Sequence, residues 1–478
     1  MKKRPGRRAL ANFDHLPTTT HVHELKPEQR ACPCCGQPRK EIGEEKSWQI
    51  EYIPGHFERI EHVRKKYACP QCESQAQNPQ IEVAAKPATA IDKGLAGPGL
   101  LAFIVTSKFA DYLPLYRLED IFERQGFEIS RATQSVWCGD VADLVEPLYE
   151  LMADEVRTAH VVATDETTLP MLAPSQTHPA RMWVYVGDAS HPYNVFDFTL
   201  NRSRDGPHHF LKDYNQVLLA DAYGGYNGVV VSNQMTRAGC WAHTRRKFVD
   251  AEKTAPEIAR QAVELIRALY VIEKQAAAVS VAERLQIRQV HALPVLAELR
   301  EKFLTWKEQL LPKHPMAEAV NYALGQWQAL NVFASDGTVP IDNNVSEREM
   351  KRVVLNRKNS LFVGNPRGGR TAAILASLTS TCRRHDVDPQ LYFTQLLMNL
   401  PQTKISDLAD WLPDRWKILT PNAWPTSRAQ PHLARKDAVH VALTKEYIVV
   451  QGKAIPRSRF CWHKRVNART NRPQSQRP

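Results

Sequence analysis

Residues 217–226 read VLLADAYGGY, and this stretch carries the first indication of the fold. Its four leading residues are apolar, which predicts a short buried strand. Asp221 follows the predicted strand end, and Gly224 and Gly225 predict a turn. A carboxylate at a strand end, beside glycines that allow close backbone approach, is a common arrangement for holding a metal ion. A surface aspartate that opens a turn is the alternative for this segment taken alone.

Two other segments supply acids in related settings. Residues 161–165, VVATD, again place a carboxylate, Asp165, after an apolar strand, and residues 341–359, IDNNVSEREMKRVVLNRKN, place Glu347 on a basic helix. Carboxylates on two strands and one helix would form an oxygen-rich site suited to Mg²⁺ or Mn²⁺. Two such ions about 3.5–4 Å apart can clamp the attacking and leaving oxygens of a phosphodiester. We therefore predict a two-ion catalytic site formed by Asp165, Asp221 and Glu347.

The composition is that of a globular protein with a strongly uneven charge distribution. A length of 478 residues is enough for two to four domains. The sequence is 43% hydrophobic and 24% charged, which is ordinary for a globular protein. The net charge of +12 favours a polyanionic partner, but it is concentrated in residues 1–31 and 425–478, and the rest is nearly neutral. No apolar run approaches the roughly 18 residues of a membrane span, and the N-terminus lacks the apolar stretch of a secretory signal. We expect a cytoplasmic protein with no membrane partner.

Two C-x₂-C pairs predict a structural zinc site. The expected ligands are Cys32, Cys35, Cys69 and Cys72, whose four thiolates would complete a tetrahedral site for Zn²⁺. The residues between the pairs alternate as short strands would, which predicts a zinc ribbon over residues 32–75. The gap between the pairs is longer than the usual about 15–20 residues. Cys34 could replace Cys35, and a set of unrelated reduced cysteines is the alternative.

Residues 94–152 predict a helix-turn-helix. Apolar periodicity predicts helices over residues 99–109 and 115–125, and Ser130 is a suitable N-cap for a third helix that runs to about residue 151. The second helix of such a motif enters the major groove. The residues expected to meet bases are Arg131, Thr133 and Gln134. An ordinary helical hairpin fits the periodicity equally well.

Residues 158–400 predict an α/β catalytic domain with a helical insertion at about 245–335. Apolar strands are expected at 161–164, 182–186, 195–199 and 217–220, and the insertion separates Asp221 from Glu347. Residues 401–424 close the globular part. The basic segments 1–31 and 425–478 are expected to be arms, the second of them disordered.

Basic residues near the third acid predict contacts with phosphates. Residues 240–248, CWAHTRRKF, contain Cys240 and His243 at a ligand-like spacing, but no second pair lies near them in sequence. We therefore expect Cys240, Trp241 and Phe248 to pack inward, and a second zinc site is the alternative. The helix that carries Glu347 is expected to be capped by a side chain from residues 342–344, and it places Lys351 and Lys358 on the same face. The expected DNA contacts are Arg245, Arg246, Arg348, Lys351, Arg352, Arg357 and Lys358. A solvated amphipathic helix is the alternative, and the loop 364–370, GNPRGGR, is a weaker candidate for approaching phosphates.

Taken in order, these motifs resemble those of bacterial transposases of the insertion sequence 66 family, within the DDE superfamily. The motifs are CPCCG, YACPQC, KGLAGPGLLAFIVTSKFADYLPLYR, ATDETTLPML, LLADAYGGYN, GCWAHTRRKF, IDNNVSEREMKR, LNRKNSLFVG and DPQLYFTQLL with LADWLPDRW. The likeness extends from about residue 30 to residue 416.

The resemblance implies a zinc-binding segment, a helix-turn-helix and an RNase H-like catalytic domain in which Asp165, Asp221 and Glu347 are the catalytic triad. It also implies cleavage at the ends of an insertion sequence and strand transfer into target DNA. The expected partners are terminal repeats, target DNA, further copies of the chain on DNA and small accessory proteins, and the expected location is the nucleoid. A nuclease without strand transfer and a non-enzymatic zinc-containing DNA-binding protein are the alternatives.

Three departures from the family pattern stand out. This sequence starts at the basic segment, whereas longer family members carry a coiled-coil-like N-terminal region, so self-association through such a region is not expected. Val354 occupies the position where some DDE relatives have a lysine seven residues after the catalytic glutamate. Residues 425–478 match no segment expected of the family.

Overall fold

A computed structural model describes residues 34–35, 37–38, 55–68, 81–85, 88–92, 94–420, 441–443, 447–450 and 453–456. The chain divides into two compact units, residues 1–84 with 422–434 and residues 85–421 with 435–478. Within the described residues, no helix combines the length and the apolar character that crossing a bilayer requires.

The first unit contains a short antiparallel pair of strands. Strands β1 (Lys66–Ala68) and β2 (Ile81–Val83) pair with Lys66 opposite Val83. Of the predicted zinc ligands, Cys35 is exposed in a turn, as is its neighbour Cys34. The other three, Cys32, Cys69 and Cys72, lie outside the described residues, so their ligand role stays a prediction.

Three helices open the second unit at nearly the predicted positions. They are α1 (Pro98–Phe109), α2 (Leu115–Arg124) and α3 (Arg131–Thr158). The hydroxyl of Ser130 accepts a hydrogen bond from the backbone N–H of Thr133 at 3.2 Å, which confirms the predicted N-cap. Helix α3 continues past the predicted end at residue 151 because its buried apolar stripe continues through Val156.

A five-stranded mixed sheet follows. Its strands are β3 (Val161–Leu172), β4 (Thr177–Val186), β5 (Asn194–Thr199), β6 (Val217–Leu219) and β7 (Thr236–Ala238), in the spatial order β5-β4-β3-β6-β7. β4 is antiparallel to both β3 and β5, whereas β6 runs parallel to both β3 and β7. Four strands were predicted, and β7 was missed because its sequence, TRA, has no apolar pattern.

Strand β3 does not end at Asp165, which corrects the prediction for that strand. The chain remains extended to Leu172 because it pairs with β4 along its whole second half, from Glu166 opposite Trp183 to Leu172 opposite Thr177. Asp165 therefore lies inside a long strand, two residues beyond the last position at which β3 pairs with β6.

Helices α4 (Asp205–Leu211) and α5 (Asn227–Ser232) lie between the later strands, and the predicted helical insertion follows β7. It consists of α6 (Trp241–Asp250), α7 (Pro256–Gln275), α8 (Val281–Ile287), a π-helical turn (Arg288–Ala292), α9 (Leu293–Gln309), α10 (Pro315–Gly325) and α11 (Trp327–Ser335). The insertion extends the core of the sheet. Trp241 is buried beside β7 and donates a hydrogen bond from Nε1 to the backbone oxygen of Leu330 at 2.8 Å.

Four further helices complete the unit: α12 (Asn344–Ser360), α13 (Pro366–Arg384), α14 (Pro389–Asn399) and α15 (Pro413–Leu419). Helix α13 packs on β5, where the hydroxyl of Ser377 accepts a hydrogen bond from the backbone N–H of Phe196 at 2.8 Å. Of residues 425–478, the structure describes three short antiparallel strands, β8 (Val441–Leu443), β9 (Tyr447–Val450) and β10 (Lys453–Pro456).

The segment GNPRGGR, the weaker candidate for approaching phosphates, is helical over most of its length. Residues 366–370 form the start of α13, which begins at Pro366. Arg367 lies 2.9 Å from Asp143, and Arg370 lies 2.8 Å from Glu150. Both guanidinium groups are therefore engaged by acids of α3.

Candidate active site

The sheet places Asp165 beside Asp221. Strands β3 and β6 pair in parallel, with Ala163 opposite Leu219. If the same register continues for two residues, Asp165 stands opposite Asp221. Adjacent strands lie about 4.8 Å apart, so the two carboxylates emerge side by side at the edge where the parallel pairing ends.

Helix α12 brings the third acid to the same edge through Asn343. This residue is fully buried, and its side-chain Nδ2 donates a hydrogen bond to the backbone oxygen of Thr164 at 2.7 Å. The start of α12 was predicted to be capped by a side chain from residues 342–344. The helix does start there, but Asn343 makes no side-chain cap. Its amide instead ties α12 to the residue that precedes Asp165, which positions Glu347 one turn later.

The charges of the three acids act on one another. The pKa of Asp165 is raised to about 7, first because the carboxyl is buried, and further by the neighbouring carboxylates of Glu166, Asp221 and Glu347. The structure therefore brings together the three acids singled out from the sequence. Their mutual repulsion is the electrostatic condition that a bound cation relieves.

A fourth acid, Glu166, was not predicted. Its side chain is almost fully buried and accepts a hydrogen bond from Nε of Arg202 at 2.8 Å. Burial raises the pKa of Glu166, the nearby Asp221 carboxylate raises it further, and the Arg202 guanidinium lowers it. The same guanidinium lies 4.0 Å from the ring centre of Tyr223, whose backbone N–H donates to Asp221 at 3.0 Å. The sequence does place Glu166 directly after Asp165. It was missed because only the first acid after each predicted strand was considered.

Glu347 also contacts the first turn of α6. Its carboxylate lies 3.5 Å from Nε2 of His243 and 3.7 Å from Arg246. Cys240, His243 and Glu347 each place one potential ligand atom within 4.8 Å of the others. Cys240 is buried, as predicted, and this burial raises the pKa of its thiol to about 11.

Most of the predicted DNA-contacting side chains are exposed. Those that project outward are Arg131, Thr133, Arg245, Arg246, Arg348, Lys351 and Lys358. On α6, Trp241 and Phe248 are buried while Arg245, Arg246 and Lys247 are exposed, as the sequence predicted for this segment.

Gln134 was expected to reach a base, and the structure corrects that expectation. Its side chain is fully buried and donates a hydrogen bond from Nε2 to the backbone oxygen of Ile129 at 2.9 Å. A side chain held in the turn before α3 cannot project into a DNA groove.

Arg352 and Arg357 were also expected to contact DNA, but both are engaged within the protein. Arg352 donates from Nε to Glu349 at 2.7 Å and from Nη1 to the hydroxyl of Tyr112 at 3.3 Å. Arg357 donates to the hydroxyl of Thr167 at 3.1 Å and to the backbone oxygen of Thr168. These arginines fasten α12 to its neighbours, because their donors are already paired inside the fold.

Comparison with known families identifies a family of transposases, which agrees with a site built from three converging acids. The sequence model of the transposase IS66 family matches residues 93–371, and that of the zinc-finger binding domain of IS66 transposases matches residues 29–73. The chain belongs to the transposase IS66 family.

Three relatives come from Sinorhizobium fredii and are described as uncharacterized proteins. The protein y4jD is 35% identical over 84% of this chain and 81% of its own length. The protein y4hP is 31% identical over 81% of this chain and 73% of its own length. The protein y4qI is 34% identical over 81% of this chain and 74% of its own length.

Proposed function

We propose that this chain is a DDE transposase that cleaves DNA at the ends of an insertion sequence and joins the freed ends to target DNA. The observation that carries the proposal is the convergence of Asp165, Asp221 and Glu347. Two adjacent parallel strands supply the aspartates, and the amide of Asn343 ties the helix of Glu347 to the same edge. Membership of the transposase family supports the reaction class.

An RNase H-like catalytic domain is the fold that we propose for residues 158–400. The support is a mixed sheet in which three antiparallel strands are followed by two parallel ones, with Asp165 on β3 and Asp221 two residues beyond the end of the adjacent strand β6. The helices of the insertion enlarge the same core and account for the long separation between Asp221 and Glu347.

The three acids fit a site for divalent cations, and we propose two Mg²⁺ or Mn²⁺ ions. The donors are carboxylate oxygens, which suit these hard ions. Oε1 of Glu347 is buried and has no hydrogen-bond partner among the described residues, and burial with like charges raises the pKa of Asp165. When bound, the ions would supply the positive charge that activates water and stabilises the leaving oxygen.

The protein's own residues hold the acids in place for this chemistry. Arg202 pairs with Glu166, and its guanidinium group lies over the ring of Tyr223. The backbone N–H of Tyr223 donates a hydrogen bond to the carboxylate of Asp221 and so orients it. Water attacks the phosphodiester and the 3′-oxygen leaves. The resulting 3′-hydroxyl then attacks a phosphodiester of the target DNA and displaces that phosphodiester's 3′-oxygen, so no covalent bond between protein and DNA forms at any step.

DNA contacts are proposed for the exposed basic residues and for the start of α3. Arg348, Lys351 and Lys358 lie on the helix of Glu347, and Arg245 and Arg246 lie on α6. Arg131 and Thr133 would read the terminal repeats in a helix-turn-helix formed by α2 and α3.

The remaining parts of the proposal concern metal ligands and partners outside the catalytic edge. We propose Cys32, Cys35, Cys69 and Cys72 as ligands of a structural Zn²⁺ in the zinc-finger domain. We also propose assembly of several copies on DNA in the nucleoid, with small accessory proteins.

The test is cleavage and strand transfer on labelled element-end DNA with Mg²⁺ or Mn²⁺, comparing the intact chain with Asp221→Asn. We expect the variant to bind DNA but to lose activity by about 100-fold or more, the typical cost of removing one group that stabilises transition-state charge. Asp213→Asn is the matched control because Asp213 is exposed and lies outside the acid cluster.

Each alternative predicts a different result in the same assay. Equal activity of Asp221→Asn and the intact chain would contradict the proposal. Cleavage without joined products would identify a nuclease. A chain that binds DNA but does not cleave it, even with accessory proteins added, would be the non-enzymatic DNA-binding protein.

A further inference from the structure

We propose that Cys240, His243 and Glu347 form a second zinc site, distinct from the zinc finger and adjoining the catalytic acids. The C-x₂-H spacing of the first two residues suggested ligands in the sequence, but no partner was found near them. The fold supplies the partner from a helix about a hundred residues further along the chain. One ligand atom of each residue lies within 4.8 Å of the other two.

The two helix starts that carry these ligands are fastened to each other. Cys240 immediately precedes α6, His243 lies in the first turn of α6, and Glu347 lies in the first turn of α12. The backbone N–H of Trp241 donates to the oxygen of Ile341 at 3.2 Å, and the backbone N–H of Asn343 donates to Sγ of Cys240 at 3.3 Å. The cluster is therefore built into the junction of two helices.

The donor chemistry favours Zn²⁺ over Mg²⁺. A thiolate, an imidazole and a carboxylate are the three ligand types that bind zinc, and three protein ligands with one open position are typical of zinc sites that exchange a fourth ligand. Magnesium disfavours sulfur and nitrogen donors. The N–H of Asn343 that points at the sulfur is the kind of outer hydrogen bond that steadies a metal-bound cysteine.

One buried polar atom that faces the cluster lacks a hydrogen-bond partner. It is Oε1 of Glu347, which lies 3.5 Å from Nε2 of His243 and accepts no hydrogen bond from the residues the structure describes. Buried polar atoms are usually satisfied, and leaving one unpaired costs about 1–3 kcal/mol. Because Glu347 and His243 face each other at 3.5 Å, an ion that binds between them would satisfy the carboxylate and hold the imidazole.

One consequence depends on the proposed function, whereas zinc binding itself does not. Glu347 belongs to both the zinc cluster and the catalytic acids. An ion held with Cys240 and His243 would draw the Glu347 carboxylate away from Asp165 and Asp221. Micromolar Zn²⁺ is therefore expected to inhibit the Mg²⁺-dependent reaction, and this inhibition is expected to weaken in variants that lack the thiol.

The deciding experiment measures metal content, so it is independent of DNA cleavage. The full chain is loaded with Zn²⁺, dialysed and analysed for zinc per chain, alongside Cys240→Ser, His243→Gln and the matched control Cys138→Ser. Cys138 is equally buried but lies on α3, outside the cluster. We expect the intact chain and the control to bind one zinc ion more per chain than either cluster variant.

Cobalt absorption provides the second readout. After the zinc finger is filled with Zn²⁺, added Co²⁺ is expected to give a thiolate-to-cobalt charge-transfer band in the intact chain and in Cys138→Ser, but not in Cys240→Ser. If Cys240→Ser does not fold, as judged by its melting curve, His243→Gln decides through zinc content. Equal zinc content in the intact chain and in folded His243→Gln would overturn the proposal.

Discussion

Asn343 shows how one side chain can set the geometry of a site without supplying a charge to it. Its amide contacts the backbone of Thr164, and its backbone N–H contacts the sulfur of Cys240. The same residue thus joins strand β3, the start of α12 and the start of α6. Asparagine at this position is read from the sequence as a helix cap, and its long-range contacts appear only in the fold.

At the residue scale, Asp165→Asn is expected to stabilise the metal-free protein at high pH. The pKa of Asp165 in the folded protein is about 7, above the usual value of 3.8 for an aspartate. A carboxyl whose pKa is raised by folding contributes stability below its unfolded pKa and loses that contribution as pH rises through the folded pKa. The native protein is expected to lose at most about 4 kcal/mol of its free energy of unfolding in this way. The asparagine variant has no carboxyl to ionise and is expected not to lose it.

Urea unfolding with a metal chelator, at about pH 4 and about pH 8, measures this difference. The variant is expected to be more stable than the native protein only at the higher pH. Added Mg²⁺ is expected to reduce this difference in the free energy of unfolding, because a bound cation relieves the repulsion among the acids of the native protein. The exposed control Asp213→Asn is expected to follow the native protein. If the stability of the variant and that of the native protein depended on pH in the same way, folding would not raise the pKa of Asp165.

At the element scale, α12 has two kinds of basic residue that the sequence does not distinguish. Lys351 and Lys358 are exposed, whereas Arg352 and Arg357 make hydrogen bonds inside the fold. The exposed lysines remain available for phosphates. The arginines attach the helix to Tyr112 and to strand β3, so that Glu347 is held on a fixed element.

Lys351→Ala and Arg352→Ala are therefore expected to act differently although the residues are adjacent. Lys351→Ala is expected to weaken DNA binding and to reduce the slope of log affinity against log salt by about 0.9, the contribution of one phosphate contact. Arg352→Ala is expected to leave that slope unchanged and to lower the free energy of unfolding by about 1–3 kcal/mol. Anisotropy titrations over a range of salt and melting curves measure both. The opposite pattern would place Arg352, and not Lys351, at the DNA.

At the scale of the whole molecule, the sheet and the helical insertion share one hydrophobic core. That core extends from Val184 in β4 to Phe303 in α9, and the rings of Phe248 and Phe303 stack with centroids 5.2 Å apart. The insertion does more than separate two acids in sequence, because its helices share buried apolar side chains with the strands of the sheet. We expect residues 94–420 to unfold together.

Arg288→Ala tests this cooperativity. Arg288 is almost fully buried, forms two hydrogen bonds with Glu273 at 2.7 and 2.6 Å, and donates to two backbone oxygens. Removing one partner of a buried ion pair costs about 3–5 kcal/mol. The matched control is Arg260→Ala, whose ion pairs with Glu257 and Glu264 are exposed to solvent and are therefore expected to contribute little to stability.

Denaturant unfolding followed by tryptophan fluorescence and by far-UV circular dichroism provides the measurement. A single transition, shifted strongly in Arg288→Ala and weakly in the control, is the expected result. A separate early transition in Arg288→Ala would show that the insertion folds independently of the sheet.

The sequence by itself determined the elements and the chemistry of the candidate site. Apolar runs predicted β3, β6 and the helices on either side, since periodicity is a local property that each segment carries by itself. The same runs identified Asp165 and Asp221, and the basic helix identified Glu347. The C-x₂-C pairs predicted the zinc finger that the family comparison confirms.

Only the tertiary structure decided which side chains meet. The contact of Asn343 with Thr164, the approach of His243 to Glu347 and the burial of Gln134 join or enclose residues whose partners the local pattern does not reveal. The length of β3 likewise depends on its pairing with β4. Such contacts arise when distant segments pack around one core, and that packing brings the thiol of Cys240, the imidazole of His243 and the carboxylate of Glu347 to one place.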